Sequence, residues 1–259
     1  MRKNLCFGLL SVVVGAFSTQ TGYGQLTSLT EGFDNSPSTL QSNGWVLINN
    51  SNPPSPVTTP PTGSVNFWAP GSVSTGIPAG QSGGVNSYID VGFESGDASV
   101  SGAIVSNWLI TPLLSLENGG SFSFYTQETP TNTSFANDLQ VWVSPNGSGT
   151  NVGSTAAVPG GDFTVKAVEV NPTFSLTGYP TTWQQFTFTL SGLSGSTTGR
   201  IGFRYYLSDV STQGTNIGID TFSFADPTVF SRTVSGNWTV RQDGRRTGCR
   251  TATPSRHNL

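Results

Sequence analysis

Four acidic residues have the clearest potential for chemistry in this chain. Glu31 and Asp34 belong to a Glu-Gly-Phe-Asp tetrapeptide near the start of the predicted folded part. Asp138 opens one apolar run and Asp220 interrupts another near the end. Ca²⁺ is bound by about six to eight oxygens, which can come from separate segments of a chain. These residue types therefore predict a calcium site formed by Glu31, Asp34 and Asp220, with Asp138 as a further candidate.

Asp220 is the acid that most needs an explanation. In a strand of period two it shares a face with Phe222 and Phe224, which predicts a carboxylate on an apolar side. Burying a carboxylate is costly unless it is hydrogen-bonded, paired or bound to a metal. If the first and last strands pair, the oxygens of Glu31 and Asp34 come close to Asp220. For Asp34 and Asp138, hydrogen bonding in a turn or at a strand end is the alternative to a metal.

Aromatic residues supply the second candidate for binding, because a flat exposed ring can stack on a sugar. Trp142 alternates away from its apolar neighbours and shares a face with Gln140, which predicts an exposed indole. Trp68 and Tyr88 flank loops rich in Pro and Gly and are candidates of the same kind. A covered outer face of the sheet is the alternative that explains all three without a ligand.

Other chemistry finds little support in the sequence. Gly80-Gln81-Ser82-Gly83-Gly84 matches the G-x-S-x-G pattern of serine hydrolases, but no helical pattern follows it. Between Leu26 and Phe230 there is no His and no Cys, so the common nucleophile–base pairs and zinc sites are excluded there. A pair of carboxylates acting on a glycosidic bond remains an alternative, although the sequence does not select the pair.

The elements that must position these residues are predicted to be strands. Of the 259 residues only 10% are charged, and 32 Gly and 16 Pro favour many turns over helices. About eleven short runs alternate or are apolar, which fits one all-β domain built as a two-sheet jelly-roll β-sandwich. The proline-rich segment 51–63 is predicted to be an extended loop.

Four short motifs resemble a known family. They are Glu31–Asp34, Ser106–Pro112, Leu139–Ser144 and Ile217–Phe222. Together, over roughly residues 29 to 225, they resemble the cleaved-adhesin or choice-of-anchor J domains of bacterial secreted proteins, which are jelly-roll relatives of MAM domains. The resemblance implies the same fold and structural calcium near the terminal strands, and it does not imply hydrolytic activity.

The ends of the chain differ in character from the domain predicted at 26–230. Residues 1–24 have the basic start and short apolar run of a secretory signal peptide, so we expect a secreted or cell-surface protein with no membrane span in the mature chain. Removal of this segment would leave Cys249 as the only cysteine, so no internal disulfide is expected. Residues 231–259 hold six of the arginines and are predicted to be disordered, either as an ordinary tail or as the remnant of a sorting signal.

Charge and resemblance together narrow the expected function. Between Leu26 and Phe230 the chain has three basic and thirteen acidic residues. The resulting negative charge disfavours nucleic acid and anionic membrane as partners. We expect a monomeric, non-catalytic binding or adhesion module for an extracellular glycan or a surface protein, stabilised by Ca²⁺. The alternatives are a structural, matrix-associated surface protein without a specific small ligand, or a glycan-processing enzyme with a carboxylate pair.

Overall fold

Two antiparallel sheets pack face to face in a jelly-roll β-sandwich. The computed structural model describes residues 24–58 and 60–227, together with the backbone of two short strands near the C-terminus. The strands of the sandwich are β1 (Ser28–Glu31), β2 (Val46–Asn49), β3 (Ala69–Pro70), β4 (Ile89–Gly92), β5 (Val105–Ile110), β6 (Leu114–Leu116), β7 (Ser121–Glu128), β8 (Asp138–Ser144), β9 (Val165–Val170), β10 (Gln184–Thr189), β11 (Thr197–Leu207) and β12 (Asn216–Ala225). The predicted all-β class is confirmed.

Each sheet is organised around one long strand. The first sheet has the order β10-β7-β12-β4-β3, and β1 also pairs with β12. The second sheet has the order β2-β5-β11-β8-β9, and β6 also pairs with β11. On one side of β12, β4 pairs with residues 216–219 and β1 with residues 222–225. The first and last strands of the sandwich are therefore neighbours, as expected from the sequence.

The core lies between the two sheets and is rich in aromatic rings. Phe203 of the second sheet meets Phe124 and Phe222 of the first edge to face, with ring centroids 5.1 and 5.7 Å apart. Trp45, at the start of β2, contacts Phe222 with a centroid distance of 5.9 Å. Such edge-to-face pairs add about 0.5–1.5 kcal/mol each to the free energy gained by burying the rings. Alternation along β7, β8 and β11 supplies these inward-facing residues.

A short helix and a short strand were not expected from the sequence. The helix α1 (Pro37–Ser42) begins after Ser36, whose side chain caps it by accepting from the backbone N–H of Thr39, and Pro37 is in the first turn. β6 has only three residues, too few for alternation to be recognised. The alternating run Val65–Trp68 predicts a strand, but the structure forms a tight turn there, closed by a single bridge between its ends. Segment 51–63 contains no strand among its described residues, as predicted.

The ends of the chain are described only in part. The segment predicted as a signal peptide lies outside the described residues, apart from Gly24. Within the predicted disordered tail, β13 (Trp238–Val240) and β14 (Arg246–Gly248) pair as antiparallel strands, and the rest of the tail lies outside the described residues. In the part of the chain that the structure describes, no helix has the length and apolar character needed to cross a membrane.

Candidate functional site

The acids of the Glu-Gly-Phe-Asp tetrapeptide lie close together at the end of β1. Glu31 accepts a hydrogen bond from the backbone N–H of Phe33, at 2.9 Å. Burial raises the pKa of Glu31, and the neighbouring negative charge of Asp34 also raises it. Phe33 has a positive φ of 52°, so the backbone turns sharply between the two acids. Glu31 and Asp34 thus form a close pair of carboxylates.

A β-bulge places Asp220 differently from the sequence-based expectation. Asp220 stands opposite Tyr125, but the register then shifts, and Phe224 stands opposite Phe122. The shift coincides with a φ of 49° at Thr221. Phe222 and Phe224 therefore point into the core, whereas Asp220 lies on the outer face with Tyr125. The prediction that Asp220 shares a face with these two phenylalanines is wrong, because one extra residue in the bulge reverses the alternation.

The carboxylate of Asp220 is nevertheless fully buried, beneath the loop 80–84. Its Oδ2 accepts from the backbone N–H groups of Gln81 and Ser82, at 2.7 and 3.1 Å. Its Oδ1 accepts from the backbone N–H and the hydroxyl of Thr221. Burial raises the pKa of Asp220, while these donors act in the opposite direction. Four hydrogen bonds thus explain the buried carboxylate without requiring a metal.

The loop 80–84 lies between Asp220 and Asp34. A Cβ atom added to Gly83 would lie 2.9 Å from Oδ1 of Asp34, and one added to Gly80 would lie within 3.0 Å of three backbone carbonyl oxygens. The glycines therefore allow the loop to pass close to Asp34 and to its own backbone. The G-x-S-x-G match falls in this loop, with no helix following it, so it lacks the structural context of a nucleophile elbow.

Asp138 lies in the other sheet and does not join these acids. It is buried at the start of β8 and accepts from the amide of Gln140, at 3.0 Å. Burial and the nearby charge of Glu169 raise the pKa of Asp138 to about 8. Across the described residues, no group of three or more His, Cys, Asp or Glu side chains is arranged to hold a metal ion. Of the four acids predicted to bind calcium, Glu31 and Asp34 are the pair that lies close together.

Trp68 and Tyr88 are fully buried, with no ring surface exposed to solvent. The hydroxyl of Tyr88 donates to the backbone carbonyl of Ser72 at 2.8 Å, and its ring meets Trp183 edge to face. Trp68 belongs to the core between the sheets. Both positions contradict the expected exposure, because Trp68 packs between the two sheets and the segment that carries Ser72 and Ile77 covers Tyr88. Neither ring can stack on a sugar in this conformation.

Trp142 is half-buried on the outer face of the second sheet, next to a network of polar side chains. The indole Nε1 donates to Oε1 of Gln140 at 3.2 Å. The amide nitrogen of Gln140 in turn donates to Glu169 at 2.8 Å, and Nη1 of Arg204 donates to the same Gln140 oxygen at 2.7 Å. One edge of Trp142 packs against an outer cluster that includes Val152 and Phe163. The alternative to a ligand, an outer face covered by other parts of the chain, thus applies to only part of the Trp142 ring.

Arg204 anchors the network although its guanidinium is 1% exposed. It donates to the hydroxyl of Ser106 at 2.9 Å and to the backbone carbonyl of Ala156. The guanidinium carbon also lies 4.1 Å from the ring centroid of Tyr206, a cation–π geometry. We call Trp142, Gln140, Glu169, Arg204 and Tyr206 the Trp142 face. Alternation in β8 identifies Trp142 from the sequence. Arg204 and Tyr206 occupy alternate positions of β11, and nothing in the residue types of that strand marks them as part of a site.

Comparisons with known proteins give similarities of shape only. No known protein family matches the chain, and no curated protein matches it. Among solved structures, the K1 cleaved adhesin domain of Lys-gingipain from Porphyromonas gingivalis is 24% identical with a TM-score of 0.45, covering 76% of this chain and 97% of that one. The K2 domain of Lys-gingipain is 20% identical with a TM-score of 0.46, covering 76% and 99%. TmCBM61 in complex with β-1,4-galactotriose is 10% identical with a TM-score of 0.38, covering 75% and 97%.

Proposed function

We propose that this chain is a secreted, non-catalytic binding or adhesion module for an extracellular glycan or a surface protein, stabilised by Ca²⁺. The observation that supports binding is the Trp142 face. It combines a half-buried indole with the surface carboxylate of Glu169 and the neighbouring ammonium group of Lys166. A sugar offers apolar C–H faces and polar hydroxyls, so it is complementary to an aromatic ring next to such charged groups.

The polar groups of the Trp142 face are held in place before any ligand arrives. Gln140 is fixed by Trp142, Arg204 and Glu169, and Glu169 also forms an ion pair with Lys166. Side chains that are already ordered lose less conformational entropy on binding. The Trp142 face is therefore a rigid surface that can bind a ligand without first becoming ordered.

The same geometry argues against catalysis by the acid pair nearest to the face. Burial and the charge of Glu169 raise the pKa of Asp138 to about 8, which is the environment of a proton donor. However, the amide nitrogen of Gln140 donates to both, at 3.0 and 2.8 Å, and Asp138 is 1% exposed. An acid and its partner must reach the substrate from the two sides of the scissile bond. Here the space between them is occupied by Gln140.

Binding of the full-length protein to a glycan array tests the proposal. We expect a positive signal that Trp142→Ala abolishes and Trp142→Phe largely retains, because phenylalanine keeps a flat ring but loses the N–H donor. Leu176→Ala is the matched control, since Leu176 is an exposed apolar side chain elsewhere on the surface. Release of reducing sugar that Glu169→Gln abolishes would instead establish an enzyme. Absence of both glycan and surface-protein binding would favour the matrix role.

Calcium is proposed at the turn that carries Glu31 and Asp34. The pKa of Glu31 is raised by burial and by the charge of Asp34, and a divalent cation would offset the repulsion between the two carboxylates. The loop 80–84 passes close to Asp34, since a Cβ atom added to Gly83 would lie 2.9 Å from Oδ1 of Asp34. Asp220 would act on this site indirectly, by holding the loop through the N–H groups of Gln81 and Ser82.

Thermal unfolding with and without EDTA tests the calcium proposal. An ion that binds only the folded state raises the unfolding midpoint. EDTA should therefore lower the midpoint, and added Ca²⁺ should restore it. The EDTA effect should disappear in Asp34→Asn and remain in Asp138→Asn, because Asp138 lies in the other sheet. A midpoint that EDTA leaves unchanged would remove calcium from the proposal without affecting the glycan argument.

A further inference from the structure

A cavity of about 410 Å³ opens at the end of the sandwich where β12 begins. Four connecting segments form it, namely the segment around Thr75 between β3 and β4, the turn after β4, the loop 129–137 between β7 and β8, and the loop 208–215 between β11 and β12. Its volume is within the range of about 300–1,000 Å³ found for small-ligand sites. The lining residues that matter most are Phe93, Phe135, Gln213, Thr215 and Asn216. None of them belongs to the Trp142 face.

Two phenylalanine side chains of this lining are exposed to solvent. Phe93 is 40% exposed and Phe135 is 43% exposed, whereas most other phenylalanines of the described chain are in the core. Exposed large apolar side chains that converge on one cavity indicate an interaction site rather than chance exposure. Flat rings of this kind can pack against the C–H face of a sugar.

The polar part of the lining is rigidly supported from behind. The amide of Asn137 donates to the hydroxyl of Thr215 at 2.8 Å, and its oxygen accepts from the N–H of Thr215 at 2.9 Å. The hydroxyl of Tyr205 donates to the backbone carbonyl of Thr215, at 2.9 Å. Next to it, Asn216 donates to the buried Asp90 at 2.9 Å. These contacts order the 208–215 loop before a ligand binds, so binding does not incur the entropy cost of ordering the loop.

Gln213 presents a donor to the cavity. Its side-chain oxygen accepts from the N–H and hydroxyl of Ser208 and from the N–H of Asp209, at 2.8 to 3.1 Å. With the oxygen engaged in this way, the NH₂ end of the amide is the part of Gln213 that remains for a ligand. Hydroxyl groups, which both donate and accept, suit a lining of this mixed character.

The charges around the cavity select against an anionic ligand. The lining contains no Lys, Arg or His side chain. Behind it lie the carboxyl groups of Asp90 and Glu128, which are hydrogen-bonded to Asn216 and Asn137 respectively. A carboxylate, sulfate or phosphate group would therefore find no positive charge in the lining to offset its desolvation. A neutral ligand rich in hydroxyl groups satisfies both the rings and the polar lining.

We propose that this cavity is a second ligand site, which binds a neutral saccharide between the rings of Phe93 and Phe135. The inference rests on the proposed function as a glycan-binding module, and it adds a site separate from the Trp142 face. The saccharide would contact the two rings through its C–H face and the groups of Gln213, Thr215 and Asn216 through its hydroxyls.

Titration calorimetry of the full-length protein with defined oligosaccharides tests the second site. The probes are neutral cello-, xylo-, manno- and galacto-tetraose, with tetragalacturonate as an anionic counterpart. For a neutral probe that binds here, Phe93→Ala and Phe135→Ala should each weaken affinity by about tenfold or more, and Leu176→Ala should leave it unchanged. Both rings are surface side chains, so these variants are expected to fold, which the unfolding midpoint checks.

The outcomes separate this inference from the proposed function. Binding that survives Trp142→Ala but is lost in Phe93→Ala and Phe135→Ala supports the cavity. Binding that is lost in Trp142→Ala and unchanged in both phenylalanine variants overturns the cavity and leaves the proposed function intact. Tetragalacturonate binding in the cavity as tightly as the neutral probes would overturn the charge argument. If the wild-type protein binds none of the probes, the second site is overturned, and the glycan array alone then decides the proposed function.

Discussion

Replacement of Asp220 by alanine should detach the loop 80–84 from the outer face of the first sheet. The carboxylate is fully buried, and its Oδ2 is the acceptor for the backbone N–H groups of Gln81 and Ser82. These two bonds join residues more than 130 positions apart in the chain. Three neighbouring contacts would remain. The hydroxyl of Thr221 donates to Oε1 of Gln81 at 2.7 Å and lies 3.0 Å from the hydroxyl of Ser82, and the indole of Trp183 donates to the carbonyl of Ala79 at 2.9 Å.

The size of the effect follows from these two bonds. A hydrogen bond to a charged group contributes about 1.5–3 kcal/mol, so the pair contributes about 3–6 kcal/mol. Removing a buried carboxylate also removes the cost of its desolvation, which offsets part of this loss. We expect a net destabilisation of about 2–4 kcal/mol. For a domain of this size, that corresponds to a decrease in the unfolding midpoint of roughly 5–15 °C.

Thermal unfolding and amide hydrogen exchange measure this prediction together. In Asp220→Ala the amides of Gln81 and Ser82 should exchange much faster, in addition to the lower midpoint. Asp97→Ala is the matched control, since Asp97 also accepts a backbone N–H at 3.0 Å, but from Ser99 only two residues away. An unchanged midpoint with unchanged exchange at Gln81 and Ser82 would refute the assignment of Asp220 as the residue that holds the loop.

Two further predictions concern pH and packing. Burial and Glu169 raise the pKa of Asp138 to about 8, so the folded state keeps a proton that the unfolded chain releases near pH ~4. Stability should therefore decrease as the pH rises from about 4 to about 8, and urea unfolding of Asp138→Asn should show a flatter profile, whereas an unaltered slope would contradict the assignment. Gly199→Ala should destabilise the domain by about 1–3 kcal/mol, because its Cβ would lie 2.1 Å from the carbonyl oxygen of Ser144. Gly195→Ala, with no atom within 4 Å of the added Cβ, should change the unfolding midpoint little, and equal midpoints for the two variants would argue against the close approach.

The sandwich could be predicted from the sequence because its core strands alternate regularly. Phe122 and Phe124 in β7, and Ile201 and Phe203 in β11, show the period of two and are buried as the pattern indicates. The pattern fails at the bulge in β12. The bulge inserts one residue and depends on the positive φ of Thr221. The residue types around Asp220 do not predict this conformation.

The candidate sites could be predicted only where alternation marks them. Trp142 is recognised because it alternates with apolar residues in β8, whereas the burial of Trp68 and Tyr88 depends on tertiary packing that leaves no periodic signal. Phe93 and Phe135 lie on two separate connections and line the same cavity only in the folded chain. Their convergence is a property of the tertiary structure, and a single sequence carries no signal for it.

The pairing of β1 with β12 has a mechanical consequence. Ser28 stands opposite Ala225, so the two ends of the sandwich chain leave side by side, and pulling them apart would break the hydrogen bonds between the strands one after another. The cavity, in contrast, is at the other end of β12, about 30 Å away along its ten residues. A force between a molecule held in the cavity and the chain after Ala225 acts along β12 and loads its bonds to β7, β4 and β1 at the same time. The domain should therefore resist tension that passes from cavity to tether far better than tension applied across its two ends.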